Sequence, residues 1–363
     1  MKQLLCIILL FFSLSFTVFA DDPINDLYSS LPGELTDVFP KNFEDELKKD
    51  GASAVSKLDA NYFLSFIFSV MRTSLSDSVS EVYALIFIIV ISSVMLAFSD
   101  GIPYKPMTAA ATFAVIGCLT QIIKPLSEQI GEQIQGMGSV MKLSLPIMTA
   151  VSGASGQPSA ATVNAVWLNT SLTLTEQLTE SILSPLISVC IALAIASSLT
   201  RMSGNNSLSG AVGTVKNTFI FLLTLIVSVF TAVMSFQNVI AKGSDTVLLR
   251  SVKFVSGSAI PVIGGALSEA AGAYLSSISL VKSSLGTLCA VCITVSVLPY
   301  VIRLFTLRLA LSLCAFLSDI MGGAVSAEIR EFSSILDLLT AISVLSSVTF
   351  IIAVGVFAST LPV

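Results

Sequence analysis

Apolar runs of about twenty residues, separated by short polar clusters, dominate this chain from residue 81 onward. A bilayer core of roughly 30 Å needs a helix of that length. The runs therefore predict transmembrane helices over 82–98, 107–123, 181–199, 218–236, 284–302, 304–321 and 335–358. None has the dyad alternation of a membrane barrel, and lipid supplies no hydrogen-bond partners, so helices are expected throughout. The expected fold is all-α: a polytopic helical membrane protein with about seven transmembrane helices after an N-terminal signal peptide.

The first twenty residues follow a different grammar. Lys2 precedes an apolar run over 4–19, and Val18-Phe19-Ala20 ends it just before Asp21-Asp22-Pro23. This is the pattern of a secretory signal peptide, so 1–20 are set apart from the fold; an uncleaved first helix is the alternative. Residues 21–80 carry eleven acids against five bases, with breaks at Pro23, Pro32-Gly33, Pro40 and Gly51. They read as an acidic extracytoplasmic region ahead of a membrane domain over 81–363. Phe39, Phe43 and Leu47 suit a short amphipathic helix, and the aromatic stretch 61–70 suits an interface. Two stretches, 127–180 and 241–282, resist placement. Each reads as a surface element, a re-entrant segment or a weakly apolar extra span, and the Lys and Arg positions do not fix the orientation of the later spans.

Composition narrows the chemistry. The chain is 54% hydrophobic and 11% charged, with a mean hydropathy of +0.91, against the roughly 25% charge of a soluble domain. It contains no histidine, which removes the commonest general base and zinc ligand. No enzymatic activity, cofactor, metal or nucleic-acid partner is expected. Cys289-x-x-Cys292 has the spacing of a thiol redox pair but lies inside an apolar run, where packing is the stronger reading. Among charges near membrane depth, Glu269 and Asp319 stand out as candidates for a buried role. Arg303, Arg308 and Lys124 read as interfacial anchors or loop charges, Arg303 falling between two predicted spans and Arg308 five residues on.

Two segments are rich in small residues and proline where a lipid-facing helix would carry Leu and Ile. One runs from Leu145-Pro146 through Gly153 and Gly156 to Ser159-Ala160-Ala161; the other is Ile260-Pro261-Val262-Ile263-Gly264-Gly265 with Glu269 after it. Pro146, Gly156, Pro261, Gly264, Gly265 and Gly272 are expected to shape close-packed or pore-adjacent backbone. Ser209-x-x-x-Gly213, Gly264-x-x-x-Ser268 and Ser268-x-x-x-Gly272 put small side chains on one helical face, as in helix contacts within a chain or between copies of a homo-oligomer. Arg250 and Lys253 are expected to meet a partner or lipid head groups.

Taken in order, these residues resemble the stage III sporulation protein AE family of endospore-forming bacteria. The resemblance rests on Ile91-Ser92-Ser93-Val94-Met95 with Asp100-Gly101, and on Leu145-Pro146 leading to Gly156 and Ser159-Ala160-Ala161. It continues through Gly243, Asp245, Arg250 and Lys253 to Ile260-Pro261-Val262-Ile263-Gly264-Gly265, and includes Pro299. The family pattern has a proline after the asparagine at 164, where this chain has Ala165. The resemblance implies a multi-pass component of the complex connecting mother cell and forespore, in the mother-cell membrane. It would work beside a secretion-type ATPase and ring-forming membrane subunits, in a channel that supports forespore development and late gene expression. Two other classes remain open from the residues alone: an autonomous secondary transporter, for which Pro/Gly-interrupted segments mark binding sites, and a non-conducting membrane scaffold.

Overall fold

The computed structural model describes residues 60–97, 104–154, 158–203, 208, 210–259, 264–322 and 325–358; over the helical parts of 242–284 it describes backbone alone. The signal-like start, nearly all of the acidic segment, Gly156 and Pro261 lie outside the described residues. Among the described residues seven α-helices follow one another: α1 Ala60–Ala97, α2 Tyr104–Ala154, α3 Pro158–Gln177, α4 Ser184–Met202, α5 Ala211–Ala259, α6 Gly264–Ile320 and α7 Ser326–Ala358. A π-helical turn, Leu178–Leu183, joins α3 to α4 just ahead of Pro185. No strand occurs among the described residues.

Six helical spans are long and apolar enough to cross a membrane: Leu64–Met95, Thr108–Gly153, Ala161–Met202, Ala211–Ala241, Leu285–Ile320 and Ser326–Phe357. The chain is thus a polytopic helical membrane protein with six such spans among the described residues, against about seven expected. The difference has one main cause. The segments 284–302 and 304–321 are a single helix, α6, which runs through Arg303 without a break. A charge lowers local hydropathy and so mimics a loop, but an arginine with a partner on a neighbouring helix does not end a helix. Arg303 and Arg308 are therefore side chains of a helix interior, not of a loop. At the other end, α1 begins at Ala60 and takes in the aromatic stretch 61–70.

The stretch after Ser127 is helical too: α2 continues to Ala154 with Pro125 and Pro146 inside it. Each proline withholds a donor from the carbonyl four residues earlier, at Gln121 and Lys142. Hydroxyls deal with their own polarity locally. Thr120 donates to the Ile116 carbonyl, Thr149 to Leu145, Ser198 to Ala194 and Ser296 to Cys292, so they sit on apolar helices with no unmatched group.

Helix α6 packs most extensively against α7, then against α1, while α7 also touches α5, α2, α3 and α4. Spans α6 and α7 are the most buried, and α1 and α5 the most exposed. Phe68, Tyr83 and Phe87 of α1 and Phe221, Val229 and Phe236 of α5 point outward, as lipid-facing residues should. Phe332, Phe350 and Phe357 of α7 are fully buried. The turns from α4 to α5 and from α6 to α7 use Gly210 (φ 82°) and Gly322 (φ 116°), a conformation that penalises any side chain.

Candidate functional site: charged and polar layers inside the bundle

Helix α7 collects charge from its neighbours. Near its start, Glu328 and Glu331 face the end of α4, where Arg201 Nη2 donates to Glu328 Oε1 at 3.2 Å and Nη1 to Glu331 Oε1 at 2.6 Å. Ser197 Oγ also donates to Glu331 Oε1, at 2.8 Å. Two turns further along α7, Asp337 Oδ2 accepts from Lys216 Nζ of α5 at 3.0 Å. Arg308 Nη1 of α6 lies 2.5 Å from Asp337 Oδ1, as an ion pair not aligned for a hydrogen bond. The first group holds two acids and one base, the second two bases and one acid. Neutrality is reached only over both together, three against three, so α7 links α4, α5 and α6 into one electrostatic unit.

A second layer lies near mid-height. Arg303 Nη2 donates to Glu81 Oε1 of α1 at 2.6 Å, and Nη1 donates to Gln129 Oε1 of α2 at 2.9 Å. All three residues fall within about two positions of the centre of their own spans. At the same level Ser343 Oγ of α7 donates to Gln133 Oε1 at 2.8 Å, and both side chains are buried. The buried hydroxyls of Ser78 and Thr306 meet at 3.0 Å between α1 and α6. An open groove of about 320 Å³ leads to Arg303 between Ser69, Thr73 and Ser74 of α1 and Pro299 and Tyr300 of α6. Charge inside an apolar span is costly, and its presence marks function or assembly more often than packing.

The residues singled out from sequence fall in several places. Pro146 is exposed on α2. Arg250 and Lys253 lie on α5, and Gly264, Gly265, Glu269 and Gly272 on the first turns of α6, as backbone positions only. Asp319 stands at the end of α6, paired with Arg330 across the turn to α7. Gly213 has no described atom within 4 Å of the place a Cβ would occupy, so it makes no close helix contact within the described chain. Cys289 and Cys292 are in no disulfide and are buried, Cys289 beside the Ser144 hydroxyl. Sequence reading missed Glu81, Gln133, Glu328, Glu331 and Lys216. The available signal was weak: Glu328 and Glu331 are three apart, so they share a helix face.

Comparison with known proteins gives the context. The family model described as stage III sporulation protein AE matches residues 42–360. The chain is also similar to the Bacillus subtilis (strain 168) protein named stage III sporulation protein AE, at 28% identity over 236 residues. That alignment covers 62% of this chain and 57% of the relative, so the matched part spans little more than half of the relative's length. No solved structure matches. With nearly the whole chain matched by one family model, this protein belongs to the stage III sporulation protein AE family.

Proposed function

We propose that this protein is an integral membrane component of the channel or secretion-like assembly that links mother cell and forespore during endospore formation. In this reading it sits in the mother-cell membrane around the forespore, beside a secretion-type ATPase and ring-forming membrane subunits, and supports forespore development and late gene expression. It performs no chemistry of its own. The observation that carries the reading is the polar layer of Glu81, Gln129, Gln133, Arg303 and Ser343 at mid-height in a sporulation-family membrane protein. Such groups are retained at that depth where a membrane protein must rearrange, conduct or assemble.

One observation favours a second reading, an autonomous secondary transporter: an open groove leads to the charged Arg303 beside Pro299, a setting near mid-span suited to holding a solute. The two are separated by work in a sporulating host. Chromosomal replacement of the gene by Arg303→Ala or Glu81→Ala, with protein levels matched by immunoblot, should arrest forespore development and reduce heat-resistant spores. The intact protein should co-purify with the ATPase and ring subunits. Solute flux by the purified chain alone in vesicles would overturn the channel-component reading in favour of the transporter.

A further inference from the structure

Helix α2 carries a feature that none of the charged and polar layers uses. Lys124, Glu128, Glu132, Gln135, Ser139 and Lys142 are all exposed and recur at intervals of three and four, so they form one stripe along the helix. At 1.5 Å per residue the stripe is about 27 Å long, close to the thickness of a bilayer core. It runs level with the polar layer inside the bundle. Gln129 bonds Arg303 and Gln133 bonds Ser343, residues near the centres of their spans, and Glu128 and Glu132 are their immediate neighbours in sequence. The opposite face of α2 is apolar and buried, with Ile123, Leu126, Ile130 and Ile134 in the core.

A stripe of this kind cannot face hydrocarbon. Charged side chains at the centre of a membrane helix are costly to leave against lipid. Among the described residues no ion pair engages Lys124, Glu128 or Glu132; Lys142 alone is matched, by Glu176 of α3. The outward faces of α1 and α5, by contrast, carry Phe87, Phe221 and Val229. The molecule thus has apolar faces suited to lipid and one polar face that needs water.

We infer that the outward stripe of α2 lines a water-filled passage through the assembled complex, with the remaining walls supplied by other subunits. This rests on the channel-component reading and names the surface it would use. With Glu176 included, three acids stand against two bases, and Glu128 and Glu132 lie at mid-height. Acidic linings of this kind favour cations, so the passage takes small cationic solutes ahead of anionic ones. Pro146, exposed one turn beyond Lys142, continues the same face.

The test is thiol accessibility in sporulating cells whose mother-cell envelope has been permeabilised, with the full complex present and the native cysteines retained as background. Single Glu128→Cys, Glu132→Cys and Gln135→Cys variants are compared with Ile130→Cys on the buried face and Phe87→Cys on the lipid face. A small, water-soluble, membrane-impermeant thiosulfonate should label the three stripe positions several-fold above the parent chain and leave the two controls at background. At Gln135→Cys the cationic reagent should react several-fold faster than the anionic one, and adding Glu128→Gln with Glu132→Gln should remove that ratio. Silence at all three stripe positions in the complex would overturn the inference. So would labelling in the isolated protein that disappears on assembly, because the stripe would then be a contact with a partner protein. Either result leaves the channel-component reading to its own test, which is read by spore formation and co-purification.

Discussion

Arg201 at the end of α4 and Glu331 in α7, 130 residues apart in sequence, share a charged hydrogen bond of 2.6 Å, with only 17% and 11% of their side chains exposed. Glu328 completes the clamp at 6% exposure. The arginine therefore stands against two nearly buried carboxylates, between the end of α4 and the start of α7. Arg201→Ala should be among the most destabilising substitutions, on the order of 3–5 kcal/mol, because it leaves two acids without a counter-charge. Glu328→Gln should cost less, since Glu331 still holds the guanidinium. Thermal unfolding of the detergent-purified variants checks the order; equal losses would mean that the two acids do not share the arginine.

The pair of Arg303 and Glu81 predicts a different pattern. Either single alanine variant leaves a charge at mid-height, whereas the double Glu81→Leu, Arg303→Leu variant leaves none. Replacing a whole buried pair by apolar residues is often neutral or stabilising, while breaking it is not. The double variant should therefore approach parental stability and still fail to support spore formation. Full spore yield from the double variant would reduce this pair to a packing device.

Charge sharing around Asp337 gives an asymmetry. Lys216→Met leaves Arg308 and Asp337 as a matched pair, whereas Asp337→Asn leaves two cations facing each other across α5 and α6. The aspartate variant should lose more stability than the lysine variant, with exposed Arg308, at 52%, the least sensitive of the three. Comparable unfolding temperatures for Lys216→Met and Asp337→Asn would show that the two cations do not depend on the one carboxylate.

The redox reading of Cys289-x-x-Cys292 is testable in the same background. Both thiols are essentially without exposure, and a reactive cysteine needs an accessible, electropositive setting. Cys289→Ala with Cys292→Ala should support normal spore formation and lower stability by about 1 kcal/mol for each small void left behind. Loss of function at normal protein levels would reinstate a thiol role.

The helical membrane class was legible because apolar run length reflects bilayer thickness, a constraint acting at every position. The interior layers were not. Arg303 finds its acid 222 residues away, and a local window registers only the drop in hydropathy, which is why one helix read as two. Glu328 and Glu331, in the first turns of α7, resemble the acids that ordinarily favour a helix N-terminus, and only the fold shows Arg201 opposite them. Asp319 follows a long apolar run, yet it pairs with Arg330 across the turn to α7, and both side chains are exposed. The continuity of α2 through Pro125 and Pro146 was equally hidden, because proline and a Gln/Glu-rich stretch suggest interruption. In a long helix packed against five others, tertiary contact outweighs the missing backbone donors.

Ser343 and Gln133 supply the most discriminating prediction about the mid-height layer. The Gln133 carboxamide is buried, its oxygen accepts from Ser343, and its Nε2 has no hydrogen-bond partner in the described structure. Ser343→Ala would strip the amide of that bond, and an unmatched buried polar group costs about 1–3 kcal/mol. Gln133→Leu removes the amide altogether, and the Ser343 hydroxyl can then turn to a carbonyl of its own helix, as Ser347 already does toward Ser343. Gln133→Leu should therefore be the milder change, and the double variant should resemble it. Unfolding temperature in reconstituted vesicles reads the stability order, and spore yield reads the role. A Gln133→Leu protein that is stable yet unable to support spores would assign the carboxamide to function, whereas a harmless Ser343→Ala with a severe Gln133→Leu would mean that the amide has its essential partner elsewhere in the assembly.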